Sequence, residues 1–208
     1  LAAGESQEAL LRRRVWEPLG MRDTGYRLSA AQKARLAPTG AESPAGLVHD
    51  PLARYASGSG GGEGGNHSPG NAGLFSSADD LAVFAQALLD GGQWRGKRVL
   101  RPGTVEAMFT PRAALPVFDP KTGGASGEME TRAAGWIVYR KAPYAHPAAP
   151  EGSFSGHTGY TGAFLWMDRS SRSIVVFLTN AVCAKEPPEI DPWRGELLRP
   201  YLEAIYGR

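Results

Sequence analysis

Two strand-length runs, 161–167 and 173–179, flank the polar five-residue stretch Asp168-Arg169-Ser170-Ser171-Arg172, and this pairing constrains the fold more than any other segment. Turn-forming residues between two runs of that length predict an antiparallel hairpin. Within the second run, Ile174-Val175-Val176-Phe177-Leu178 shows no alternation of polar and apolar residues. Both of its faces are therefore expected to be buried, as in a central strand covered by helices on each side. A further strand is predicted at 135–139. A last helix starts with Asp191 as cap and Pro192 in its first turn. Trp193, Leu197, Tyr201 and Ile205 recur every four residues along it, a stripe expected to pack on the sheet.

The first half of the chain is helical and rich in loops. Ser6 can cap a helix running through Arg14, with Leu10 and Leu11 on one face, and Pro18 with Gly20 end it. Ser29 opens a short helix over 29–37. A longer helix begins at Ser77, with Asp80 placed to return the capping bond and Leu81, Phe84, Ala85, Leu88 and Leu89 forming one apolar stripe. Gly91-Gly92 stops it. After Pro102 another helix turns Val105, Met108 and Phe109 inward. Residues 57–73 are mostly Gly, Ser, Asn and Pro and predict a surface loop, and 112–131 predict a second. The chain thus divides into a helical, loop-rich part, 1–131, and a part with three strands and a C-terminal helix, 132–208.

Composition excludes several function classes. A net charge of +2 over 208 residues is too small and too scattered for a nucleic-acid surface, and Arg12-Arg13-Arg14 predicts a solvated helix face. Cys183 is alone, so neither an internal disulfide nor a cysteine-based metal site can form. No apolar stretch reaches the roughly 18 residues of a membrane-spanning helix. His49-Asp50, with His67 and His146, lacks the spacing of a metal-ligand set. Gly58-Ser59-Gly60-Gly61-Gly62 lacks the Lys-Ser or Lys-Thr pair of a phosphate loop. No metal and no cofactor are expected.

Chemistry concentrates at Phe154-Ser155-Gly156-His157-Thr158-Gly159-Tyr160-Thr161-Gly162. Glycines at 156, 159 and 162 would leave the backbone open to a substrate carbonyl approaching main-chain N–H groups, as in an oxyanion hole. His157 and Thr158 bring an imidazole and a hydroxyl that can hold an anionic group or move a proton. The alternative for His157 is a turn histidine bonded to the backbone. Trp136, Phe164 and Trp166 either line a cleft or, more commonly for such side chains, fill a core. Asn71 and Ser76 are explained by turn and cap chemistry.

Four segments, in this order, resemble the β-lactamase-related serine hydrolases, a group including class C β-lactamases, penicillin-binding DD-peptidases and esterases. They are Trp16-Glu17-Pro18-Leu19-Gly20-Met21 with Asp23-Thr24, then Gly70 to Leu81, then Gly135-Trp136, and finally His157-Thr158-Gly159. The last resembles the family's third motif in its His variant. The resemblance implies an α/β (α+β) fold with an antiparallel sheet flanked by helices and a mainly helical subdomain. It also implies hydrolysis of ester, peptide or amide bonds through an acyl-enzyme, with His157 and Thr158 catalytic and Gly159 and Tyr160 at the substrate and oxyanion site. Tyr160 would contribute its backbone N–H.

The chain departs from the family pattern at the nucleophile. No Ser is followed three positions later by Lys, and none of the seven tyrosines has Asn two positions on. In the family both motifs precede the segment resembling Trp16 to Met21, so the chain is expected to be a C-terminal portion, inactive alone, with its N-terminal part missing. The expected partners are a small ester, peptide or cell-wall-like substrate, and either the missing segment or a second copy pairing with 173–179. The resemblance favours a periplasmic or extracellular location. The alternative function is a noncatalytic module of the same fold that binds peptides or glycans.

Overall fold

Ser6 accepts a hydrogen bond from the N–H of Ala9 and starts helix α1, Gln7–Leu11, in a computed structural model that describes residues 4–37, 73–118, 124–139, 146–159, 161–181 and 190–207. The expected end at Arg14 is passed. A π-helical turn, Arg12–Trp16, carries the chain into α2, Glu17–Leu19, and Gly20 ends it at φ +75°. That left-handed C-cap is the conformation glycine adopts without strain. The helical run swings Trp16 and Leu19 into a cluster with Met21, Tyr26 and Ala87. Helix α3, Ala30–Lys33, carries a capping box in which Ser29 and Gln32 satisfy each other's backbone N–H groups.

Helix α4, Ala78–Leu89, is capped by the Ser77 hydroxyl, and Ala85, Ala87 and Leu88 are buried. The carboxylate of Asp80 does not return to Ser77. It is buried and accepts from the N–H of Asp23 at 2.8 Å and the Thr24 hydroxyl at 2.7 Å, while Ser76 Oγ lies 2.8 Å from Thr24 Oγ1. A buried carboxylate needs such donors, and here they dock the 16–24 segment onto α4. Gly91-Gly92 then leads into a small hairpin, β1 (Gln93–Trp94) and β2 (Lys97–Arg98), followed by helix α5, Pro102–Phe109.

One antiparallel six-stranded sheet forms the rest, in the order β3 (Ala113–Phe118), β4 (Ala125–Arg132), β5 (Ile137–Tyr139), β6 (Phe154–Thr158), β7 (Phe164–Asp168), β8 (Ser173–Phe177). Much of 112–131, expected as a loop, is the β3–β4 hairpin, so the sheet has six strands where three were expected. The predicted hairpin is present as β7–β8, but among the described residues β8 lies at the edge of the sheet, and each of its residues is only half-buried. Its apolar run still serves two faces, as alternation along a strand requires. Ile174 packs with Met167 against α4 and α5, while Val175 and Phe177 join Phe154, Phe164 and Trp166.

That second face is covered by helix α6, Ile190–Tyr206. The buried positions are Arg194, Leu198 and Leu202, whereas Trp193 is 60% and Leu197 44% exposed. The inward stripe is thus one residue further along than the sequence pattern indicated, because Arg194 is drawn under the helix to the carbonyl of Gly162. The expected loop at 57–73, apart from Gly73, and residues His49, Asp50, His67, Asn71 and Cys183 lie outside the described residues. Among the described residues, no helix is long and apolar enough to cross a membrane and no cluster of potential metal ligands occurs.

Candidate active-site edge

Strand β6 delivers the candidate residues. Phe154, Ser155 and Gly156 are buried in the sheet, His157 is exposed and Thr158 is half-buried. The strand therefore emerges from packed interior just where its side chains become chemically useful. His157 pairs with Leu165 and Thr158 with Phe164, which fixes both against β7.

The three glycines separate into different roles. A Cβ at Gly156 would lie 2.3 Å from Leu165 O, so this glycine permits close approach of β7 and does not open the backbone to a ligand. Gly162 has φ +92° and makes the turn. Gly159 is exposed and has no atom closer than 3.7 Å to a notional Cβ. Its N–H donates to Ala163 O at 2.7 Å, so that amide is already used. Tyr160 lies outside the described residues.

The loop that follows is held from several sides. Gly162 N–H donates to Gly159 O, Ala181 N–H donates to Thr161 O, and Arg194 Nη2 donates to Gly162 O at 2.7 Å. Arg194 is 5% exposed and its guanidinium lies 5.6 Å from the Phe164 ring centroid, a desolvated cation over an aromatic face. Thr161, Ala163, Thr179, Asn180, Phe75 and Ser76 line a hollow of about 470 Å³, with Asp23 and Arg35 also in its lining. The hydrogen bond from Arg35, aided by its charge, holds the Asp23 carboxyl below its usual range. His157, Thr158 and Gly159 are not among the lining residues. Gly159 is tied by its backbone hydrogen bond to Ala163, which is a lining residue.

Two further residues were missed, Glu130 because it falls in the segment expected as a loop and Arg132 because it lies just past that segment and before the predicted strand at 135–139. Arg132, at the end of β4, reaches across β5 and places Nη1 2.8 Å from His157 Nε2. Glu130 forms an ion pair with Arg132. The other His157 nitrogen, Nδ1, lies 2.7 Å from Thr158 O. The aromatic candidates resolve toward packing. Phe164 and Trp166 are buried in the core beneath α6, and Trp136 packs against the cluster around Met167.

An antiparallel sheet between helices is the architecture shared with β-lactamase and penicillin-binding proteins. The chain belongs to the Beta-lactamase family, whose profile matches residues 1–198. It is 31% identical over 150 residues to an N-acetylmuramyl-L-alanine amidase of Bacillus subtilis (strain 168), covering 71% of this chain and 28% of that protein. Among solved structures, a family VIII carboxylesterase superposes with a TM-score of 0.63 at 19% identity, covering 98% of this chain and 52% of that one. A penicillin-binding protein homologue from Caulobacter crescentus gives 0.54 at 20% identity, with 86% and 47% covered. At these identities the likenesses establish the fold. The chain spans less than a third of that curated relative and about half of each of these structures.

Proposed function

We propose that this chain is part of a serine hydrolase that cleaves ester, peptide or amide bonds through an acyl-enzyme. It contributes His157-Thr158-Gly159 and the N–H of Tyr160, while the serine and its proton-handling partners come from polypeptide outside these 208 residues. The observation that carries this reading is the exposed imidazole and half-buried hydroxyl at the end of β6, next to Gly159 and its bond to Ala163, a residue lining the hollow. Thr158 would hydrogen-bond the bound substrate and His157 would hold the strand end that presents it. The names of the amidase relative and the penicillin-binding homologue support a cell-wall-like peptide as substrate, and that of the carboxylesterase supports an ester. The family resemblance supports a periplasmic or extracellular location.

Nitrophenyl ester and nitrocefin assays test the reading. The chain alone will turn over neither above buffer. Joined to an upstream segment containing an S-x-x-K motif it will turn over the ester, and Thr158→Val or His157→Ala will lower that rate at least tenfold, the effect of losing about 1.4 kcal/mol of transition-state stabilisation. Turnover by the isolated chain that survives both substitutions would overturn the proposal. Peptide binding without turnover by the joined protein would favour the noncatalytic module.

Strand β8 adds an expectation about association. Among the described residues it pairs only with β7, and beyond its end Leu178 is 46% exposed. An apolar strand with unpaired N–H and C=O groups recruits another strand. We propose the missing N-terminal segment as its partner, or a second copy when that segment is absent. Light scattering on the isolated chain will show dimers or larger species, and a stable lone monomer would refute this.

A further inference from the structure

Both ring nitrogens of His157 are engaged, and by partners of opposite kind. Nδ1 faces the Thr158 carbonyl oxygen at 2.7 Å, which can only accept. Nε2 faces Arg132 Nη1 at 2.8 Å, and a guanidinium can only donate. One species satisfies both contacts: a neutral imidazole with its proton on Nδ1 and its lone pair on Nε2. The other neutral tautomer would set a lone pair against a carbonyl oxygen and an N–H against an N–H. Imidazolium would place a second cation and a second donor against Arg132, at a separation where like charges repel strongly.

Arg132 is itself held. It ends β4, is paired across the sheet with Ile137 and is ion-paired with Glu130. Ile137 in turn pairs with Gly156, the residue before His157. The guanidinium thus spans one strand from a braced position.

We propose that Arg132, braced by Glu130, is a positioning residue that fixes His157 as the neutral Nδ1–H tautomer with its Nε2 lone pair occupied. His157 then serves as a fixed strut between the third-motif strand and the Arg132 cation, not as a proton acceptor. The catalytic meaning rests on the hydrolase reading above. The tautomer does not, since it is set by contacts within this chain.

Magic-angle-spinning NMR of protein labelled with 15N-histidine tests the idea and tolerates an assembly of any size. Spectra would be taken at about pH 8.5, two units above the ordinary imidazole pKa. His157 is identified as the resonance pair lost in His157→Gln. The expected result is a pyrrole-type Nδ1 and a pyridine-type Nε2 in the parent protein. Arg132→Met leaves the Thr158 carbonyl as the one contact on the ring and will mix in Nε2–H, the tautomer that a free histidine side chain prefers, and Arg132→Lys will restore the Nδ1–H spectrum. A pyridine-type Nδ1 in the parent protein overturns the proposal, and that measurement decides even if Arg132→Met fails to fold. So does a folded Arg132→Met protein with an unchanged His157 spectrum. Because no turnover is read, failure of the hydrolase assignment would leave this result standing, and the reverse also holds.

Discussion

Valine at Gly156 will leave the chain without a cooperative unfolding transition, and alanine will destabilise it by about 3 kcal/mol, near the upper end of overpacking costs. A Cβ there would sit 2.3 Å from Leu165 O, 3.2 Å from Leu165 C and 3.0 Å from Trp166 Cα. All three are backbone atoms of β7, so no rotamer change can relieve the clash. The strand would have to move, and β6–β7 is an interior pairing of the sheet with five register pairs from Phe154↔Asp168 to Thr158↔Phe164. Urea unfolding followed by tryptophan fluorescence reads the loss, since Trp166 is almost fully buried. Gly159→Ala is the control. With nothing nearer than 3.7 Å and no left-handed φ, it will shift stability by less than about 0.5 kcal/mol, as ordinary surface changes do. Equal urea midpoints for the two alanine variants would refute this account of Gly156.

Replacing Asp168 with alanine will cost about 3 kcal/mol, the scale for stripping a buried charged acceptor from its donors. Asp168 is fully buried. It accepts from Ser170 N–H at 2.9 Å, Ser170 Oγ at 2.8 Å, Ser171 Oγ at 2.5 Å and the Tyr206 hydroxyl. The carboxylate therefore ties the β7–β8 turn to the end of α6. Burial by itself pushes its pKa up, but the bonds from Ser171, Tyr206 and Ser170 together outweigh burial and hold it below the ordinary carboxylate value. The sign for stability follows from that direction. A lowered folded-state pKa contributes stability in full above the unfolded value, about 3.9, and loses it as pH falls through the folded one. Acid titration of the parent protein will therefore show a stability loss below about pH 4 that is smaller in Asp168→Asn. An identical acid limb in the two proteins would show that Asp168 does not supply it. Tyr206→Phe removes one of the four donors and will cost about 1 kcal/mol.

What the sequence made legible were features decided within a few residues. Ser6, Ser29 and Ser77 cap helices because a β-region hydroxyl meets the first free N–H groups, and Gly20 ends a helix because it accepts φ +75°. The β7–β8 hairpin was readable from its turn. The β3–β4 hairpin was not. Most of its residues face solvent, with Leu115 48% and Met129 62% exposed, so it lacks the period-two pattern that marks a half-buried strand. The stripe on α6 was misplaced because apolar spacing favoured Trp193 and Leu197, whereas the interior recruits Arg194 through carbonyls 31 and 32 positions earlier in the chain. The candidate site divides in the same way. His157-Thr158-Gly159 is a contiguous motif, while its contact with Arg132 crosses an intervening strand and 25 residues of sequence.

The buried Arg194 makes α6 a lever on the loop beyond the third motif. A guanidinium clamped to the carbonyls of Gly162 and Ala163 transmits any axial slip of the last helix to the hinge between β6 and β7. Fusions or truncations at the carboxyl end will therefore be felt at Gly159–Ala163, far from where they are made in the chain.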